Sequence, residues 1–300
     1  MKIHHLALSF ILLLPLRTQV AVGSTLYTLN VNGKGNILRV DPSTGTTTAI
    51  NPSIGLGAGS WSGLAADFND PGFLFGLNNP RPPMFEDPQT SRLARIDLST
   101  GEAELLPLFD TQTLGFSQPF STGLAVSPLN PDVAIVVGWD RPEPRVRILW
   151  KVNTQTGEVL GPAIPIEGQL RLESLTVGPD GETFYATNQL GELVTLNSDT
   201  GKVTAIGSPG LSDFLTGLVF RPEDNTLLAI DGESRDQLVQ LDAATGKLLK
   251  VLGPLGIQGP EGLAVIPTPE PSTVVLLLLG SGFLTFWAYA TGNVARGGIT

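Results

Sequence analysis

A chain of 300 residues, 41% hydrophobic and only 15% charged, is long enough to bury a sizeable core and too apolar to be disordered over most of its length. It has no cysteine, and its two histidines, His4 and His5, lie near the N-terminus, so the rest of the chain lacks disulfides, thiolate nucleophiles, the usual zinc ligands and the histidine base of hydrolytic triads. Between residues 24 and 273 stand 15 basic and 28 acidic side chains, a balance that argues against nucleic acid or anionic lipid as a partner, while 35 Gly and 24 Pro point to short strands and tight turns.

Residues 1–23 read as a secretory signal: Lys2 is the positive start, Leu6 to Leu16 the apolar run, and Ala21-Val22-Gly23 the small residues of a cleavage site. From residue 24 to 267 one pattern recurs. Asp41-Pro42-Ser43-Thr44-Gly45, Asp97-Leu98-Ser99-Thr100-Gly101, Asn153-Thr154-Gln155-Thr156-Gly157, Asn197-Ser198-Asp199-Thr200-Gly201 and Asp242-Ala243-Ala244-Thr245-Gly246 share Asp/Asn-x-x-Thr-Gly at spacings of 56, 56, 44 and 45 residues. Each copy is flanked by apolar-alternating runs, so it reads as a hairpin corner: the Asp or Asn accepts from turn amides and the Gly takes positive φ. These acids are turn chemistry and not candidates for a site.

Upstream of each corner lies an apolar strand opened by Gly or Ser: Gly63-Leu64-Ala65, Gly123-Leu124-Ala125-Val126, Ser174-Leu175-Thr176-Val177, Gly217-Leu218-Val219-Phe220 and Gly262-Leu263-Ala264-Val265. Each unit thus becomes a four-stranded meander. The first unit begins at Leu26-Tyr27-Thr28-Leu29 without an innermost strand, while the last such strand, 261–266, has no corner after it. The expected fold is all-β: a five-bladed propeller of four-stranded blades, closed by the C-terminal strand pairing with the first. The outer strand of the third full repeat is placed at Glu158 to Pro162.

In such a blade the start of the innermost strand and the end of the second reach the same channel mouth. The residues before each opening Gly or Ser are Ser62, Thr122, Glu173, Thr216 and Glu261; the second strands end near Asn78, Trp139-Asp140, Asn188 and Asp231. These ten positions are the candidate binding site, with two long loops, 78–92 and 138–147, on its rim and Trp61 and Phe85 as further apolar faces. Glu173 and Glu261, the two acids of the ring, are also the candidate metal ligands, with Ca²⁺ as the cofactor they could hold. A binding module for an extracellular polysaccharide or protein is one reading. A Ca²⁺-dependent propeller hydrolase or lactonase is the alternative, and a glycosidase using the carboxyl pair is a third.

After the repeats comes an uncharged run, Val274 to Ala290, with Trp287 and Tyr289 toward its end, which reads as a transmembrane helix. Directly before it stand Pro269-Glu270-Pro271. This tail, residues 268–300, resembles the PEP-CTERM sorting domain of exported bacterial proteins. The resemblance implies a membrane-held, surface or extracellular protein processed by an exosortase, although the tail carries a single base, Arg296, where the family has a basic cluster. The repeats resemble NHL-type and quinoprotein-type propellers, most closely at Leu238 to Val251. The docking tryptophan of quinoprotein repeats is absent there, so no quinone is implied.

Overall fold

A computed structural model describes residues 24–31, 36–50, 60–79, 91–116, 118–140, 145–211, 214–221, 224–232 and 235–267. The expected signal, the Pro269-Glu270-Pro271 motif, the run 274–290 and Phe85 lie outside the described residues, among which no helix is long and apolar enough to cross a membrane.

Five four-stranded antiparallel sheets form the domain. The strands are numbered from the N-terminus, and β1 (Ser24–Asn30), β2 (Asn36–Val40) and β3 (Thr47–Ala49) come first. Blade 1 is β4 (Ser60–Ala66), β5 (Phe73–Asn79), β6 (Arg92–Asp97) and β7 (Ala103–Leu108); blade 2 is β8 (Pro119–Ser127), β9 (Asn130–Asp140), β10 (Arg147–Asn153) and β11 (Ile164–Pro165). Blade 3 is β12 (Leu172–Val177), β13 (Phe184–Asn188), β14 (Leu193–Leu196) and β15 (Val203–Gly207); blade 4 is β16 (Leu215–Arg221), β17 (Thr226–Asp231), β18 (Gln237–Asp242) and β19 (Leu248–Pro254). Blade 5 has the order β20-β1-β2-β3, in which β20 (Pro260–Pro267) lies antiparallel to β1 with Leu26 opposite Val265. The innermost strands β4, β8, β12, β16 and β20 touch in that order, and β20 touches β4 again.

The core sits between blades. Leu64 and Ala66 of β4 join Tyr27, Leu29 and Ile37 of blade 5 in one apolar cluster, while Ala65 between them joins Leu124, Val136 and Trp150 of blade 2 in another. Leu124 and Val126 likewise face blade 1, and Ala125 faces Leu175 and Ala186 of blade 3. This is the two-residue period of a strand with both faces buried, which is why the inner strands read as continuous apolar runs. At about 1.5–3 kcal/mol for each fully buried aliphatic or aromatic side chain, these interfaces supply most of the cohesion.

The repeated corners have the expected chemistry. Gly45, Gly101, Gly157, Gly201 and Gly246 have φ of 77°, 75°, 74°, 72° and 70°, and each donates its N–H to the carbonyl of the Asp or Asn four residues earlier. Asp41 Oδ1 accepts from the amide and hydroxyl of Ser43, and Asp97 Oδ1 does the same with Ser99, which holds both carboxyls below their usual range. Several corners also dock on the outermost strand of the preceding blade: a Cβ on Gly201 would lie 2.2 Å from the Pro165 carbonyl oxygen, and one on Gly246 2.7 Å from that of Gly207.

One strand departs from the sequence expectation. In blade 2 the outer strand is not Glu158 to Pro162; Val159 makes a single bridge to Val152, and pairing resumes only at Ile164–Pro165. Gly161, at φ 112°, turns the chain away, and Pro162 has no N–H to give to the ladder.

The docking role of the corner glycines is testable by thermal denaturation. Gly210 also has a left-handed backbone, φ 71°, but open space around it. Gly210→Ala should cost about 1 kcal/mol of backbone strain, and Gly201→Ala about 2–4 kcal/mol because the blade interface must also shift. Equal losses would show that the turn conformation alone fixes this glycine.

Candidate functional site

Every blade carries a register slip at or next to the ring position. Pairing between the innermost and second strands skips Thr122, Glu173 and Thr216 themselves in blades 2, 3 and 4, and the glycine after the ring residue, Gly63 and Gly262, in blades 1 and 5. A β-bulge at this point re-aims the adjoining side chains. Ser62, Thr122, Glu173, Thr216 and Glu261 accordingly line one cavity of about 400 Å³ at the channel mouth, together with Trp61 and Trp139.

Three of the five have a structural task. Ser62 Oγ donates to the Ser121 carbonyl at 3.0 Å, Thr122 Oγ1 to that of Leu172 at 2.7 Å, and Thr216 Oγ1 to that of Pro260 at 2.8 Å. In each case a hydroxyl of one blade holds the carbonyl just before the ring residue of the next. At Glu173 the corresponding acceptor, the Leu215 carbonyl, is instead bonded at 3.0 Å by Thr187 of β13. The staple is thus supplied from a second strand, and the Glu173 carboxylate is released for other use.

A second tier lies two residues earlier on each strand. Ser60, Phe120, Arg171, Phe214 and Gly259 all line the same cavity, as the two-residue period of an extended strand requires. Arg171 Nε stands 2.6 Å from Glu173 Oε1, a charge contact without hydrogen-bond alignment. Its guanidinium lies 4.6 Å from the centre of the Trp139 ring and 5.7 Å from that of Phe214, while Phe120 packs on Trp139 at 4.9 Å. Arg147 faces Trp139 at 5.4 Å. The lip is therefore aromatic and the floor carries two carboxyls and one guanidinium. Sequence reading missed Arg171, Phe120 and Phe214; the signal that would have found them was their position two residues before a ring residue.

Glu261 is half-buried in the wall of this narrow cavity. Desolvation, and then the negative charge of Glu173, push its pKa up to about 8 against an opposing pull from Arg171.

The other expected site residues are not brought into this cavity. Asn78 is buried and accepts from Arg92 Nε at 3.1 Å; Asp140 accepts from the Gln118 amide at 2.7 Å. Asn188 caps its own turn, accepting from the amides of Leu190 and Glu192, and Asp231 accepts from Gln237 Nε2 at 2.9 Å, with Arg235 3.9 Å away. The second strands end in side chains that fasten their own loops. Trp61 is almost wholly buried in the interface with blade 5 and contributes only an edge to the mouth.

Among the described residues the donors at the mouth are too few for Ca²⁺. A calcium ion takes six to eight oxygens, whereas one of the two carboxyls already faces Arg171, and among the described residues no group of three or more His, Cys, Asp or Glu is placed to hold a metal.

No protein-family model matches the chain, and no curated protein matches it. Among solved structures, a chain in the crystal structure of a nidogen/laminin complex is similar with a TM-score of 0.50 and 13% identity, over 81% of this chain and 98% of that one. The likeness is one of fold: an all-β, five-bladed propeller. A protein of unknown function from Bacteroides thetaiotaomicron (TM-score 0.46, 13% identity, 81% and 70% covered) and a 6-phosphogluconolactonase-like protein from Bacteroides uniformis (TM-score 0.43, 15% identity, 82% of each chain) also align.

The raised Glu261 predicts an inverted pH dependence. Because the unfolded carboxyl ionises near 4.5 and the folded one near 8, the unfolded state loses its proton first, and stability falls as pH rises between those values, by up to about 1.4 kcal/mol per pH unit. Glu261→Gln should therefore melt above the parent at about pH 8 and alongside it at about pH 4.5. A variant that melts below the parent at the higher pH would show that the charged form is the one the fold stabilises.

Proposed function

We propose that this chain is an exported propeller that binds a ligand in the mouth of its channel, held at the cell envelope or released from it through its C-terminal segment. The observation that carries the binding site is the convergence of five equivalent strand positions on one cavity with an aromatic lip, two of them occupied by carboxyls where three carry a stapling hydroxyl. Export rests on the sequence of residues 1–23. Tethering and exosortase processing rest on the apolar run 274–290 behind Pro269-Glu270-Pro271. An acidic surface and a neutral or cationic extracellular ligand, polysaccharide or protein, are compatible.

A second reading has one observation in its favour. Burial and the Glu173 carboxyl raise the pKa of Glu261, and a carboxyl pair whose members titrate apart is what carboxyl-pair hydrolysis uses, one group as acid and the other as base or nucleophile.

Fractionation of the native host should place the chain in membrane or extracellular material; a full-length cytosolic product would refute export. In calorimetric titration against a panel of extracellular polysaccharides, Ser60→Trp, which fills the lip, should weaken binding about tenfold or more, equivalent to at least about 1.4 kcal/mol. Undiminished affinity would move the site elsewhere. Glu261-dependent turnover of aryl glycosides or lactones would replace binding by the second reading.

A further inference from the structure

Resting on the mouth as the binding site, we propose that the group it recognises is an organic cation: a protonated primary amine on a hydroxylated ring, as in an amino sugar, seated against Glu261.

The mouth is asymmetric. Glu173 has its counter-charge in Arg171, 2.6 Å away, and Arg171 also covers the approach to it from the second tier. Among the described residues no basic side chain forms an ion pair with Glu261, and the residue two before it is Gly259, with Gly232 also lining the cavity, so neither of these positions puts a side chain over the carboxyl. Among the described residues of the cavity, two carboxyls and one base leave acceptor capacity for one more cation. The walls already show the required chemistry, since Trp139 and Phe214 present their ring faces to Arg171. Their partner Phe120, stacked at a tilt on Trp139, extends an apolar face of the kind that takes the C–H side of a saturated ring.

Size and coordination separate this ligand from the alternatives. A cavity of about 400 Å³ holds a ring with its substituents, whereas a bare divalent ion would lack most of its oxygens. Among the described residues, the charged groups facing Glu261 are Glu173 and Arg171, with Arg147 beyond Trp139 and the Asp231–Arg235 pair on a neighbouring loop. The proton that Glu261 retains near neutrality is what an incoming ammonium would displace, so binding should release it.

The test uses the full chain and two probes that differ in charge, methyl glucosaminide and methyl N-acetylglucosaminide. At about pH 6.5, where the sugar amine is charged, calorimetry in two buffers of different ionisation enthalpy should show the amine binding at least about tenfold more tightly, with release of close to one proton. Glu261→Gln should lose both the preference and the proton release while melting no lower than the parent. Equal binding of the two sugars, binding of neither, equal binding of a lysine peptide, or amine binding unchanged in Glu261→Gln would each overturn the inference. If a neutral ligand binds and Ser60→Trp blocks it, the mouth reading stands and the amine specificity alone falls.

Discussion

Each blade has apolar side chains on both faces, and the structure depends on covering them. A sheet with one buried face can end in solvent; a sheet with two must have a neighbour on each side, and its neighbours have the same need. The requirement is met only when the series closes on itself. Blade 5 shows how far this constraint governs topology: β20, the last described strand, fills the innermost place beside β1, the first, and its Leu263 and Ala264 cover opposite faces, one toward blade 4 and the other toward blade 1.

Closure fixes the distance between innermost strands, and that in turn determines what stands at the mouth. Where five strands converge, the carbonyls before the ring residues need donors. A Ser or Thr at the ring position of the neighbouring blade answers this in three cases, contributing about 1 kcal/mol each in stability but also setting the register between blades. The ring position is therefore primarily a structural one. Glutamate at two of its five places is a departure from the structural rule, and at Glu173 the fold compensates with Thr187. A local rule broken and repaired from another strand points to selection for something other than stability.

The architecture was legible in the sequence because it is written five times. Asp/Asn-x-x-Thr-Gly located the corners, and the Gly- or Ser-led apolar strands located the axis, since both depend on local backbone conformation and on period-two patterning. The five ring residues followed from counting strand starts. The second-strand residues do not follow in the same way, because strand order fixes where their backbone ends and not where their side chains turn: Asn188 and Asp231 have nearer donors in their own loops. The missing outer strand at Val159 failed for a comparable reason, as Gly161-Pro162 interrupts the ladder that the flanking residues would favour. Arg171 went unremarked because its meaning depends on Glu173, two residues on, facing the same space.

Acidic residues are numerous in this chain, and their environments sort them. Asp41, Asp97 and Asp180 lie at exposed turns, where hydroxyls and amides of the next few residues hold the carboxyl below its usual range; the charged form is the working form, and the work is to shape a corner. Glu261 is shifted in the opposite direction by burial and by a second carboxyl. A carboxyl whose pKa is raised, in a cavity at the channel mouth and with no ion-pair partner among the described residues, is poised to gain from a cationic partner. Of the 28 acids that at first read as a soluble surface, Glu261 thus differs in its surroundings from the turn carboxyls. Position on the ring, more than charge, is what distinguishes it.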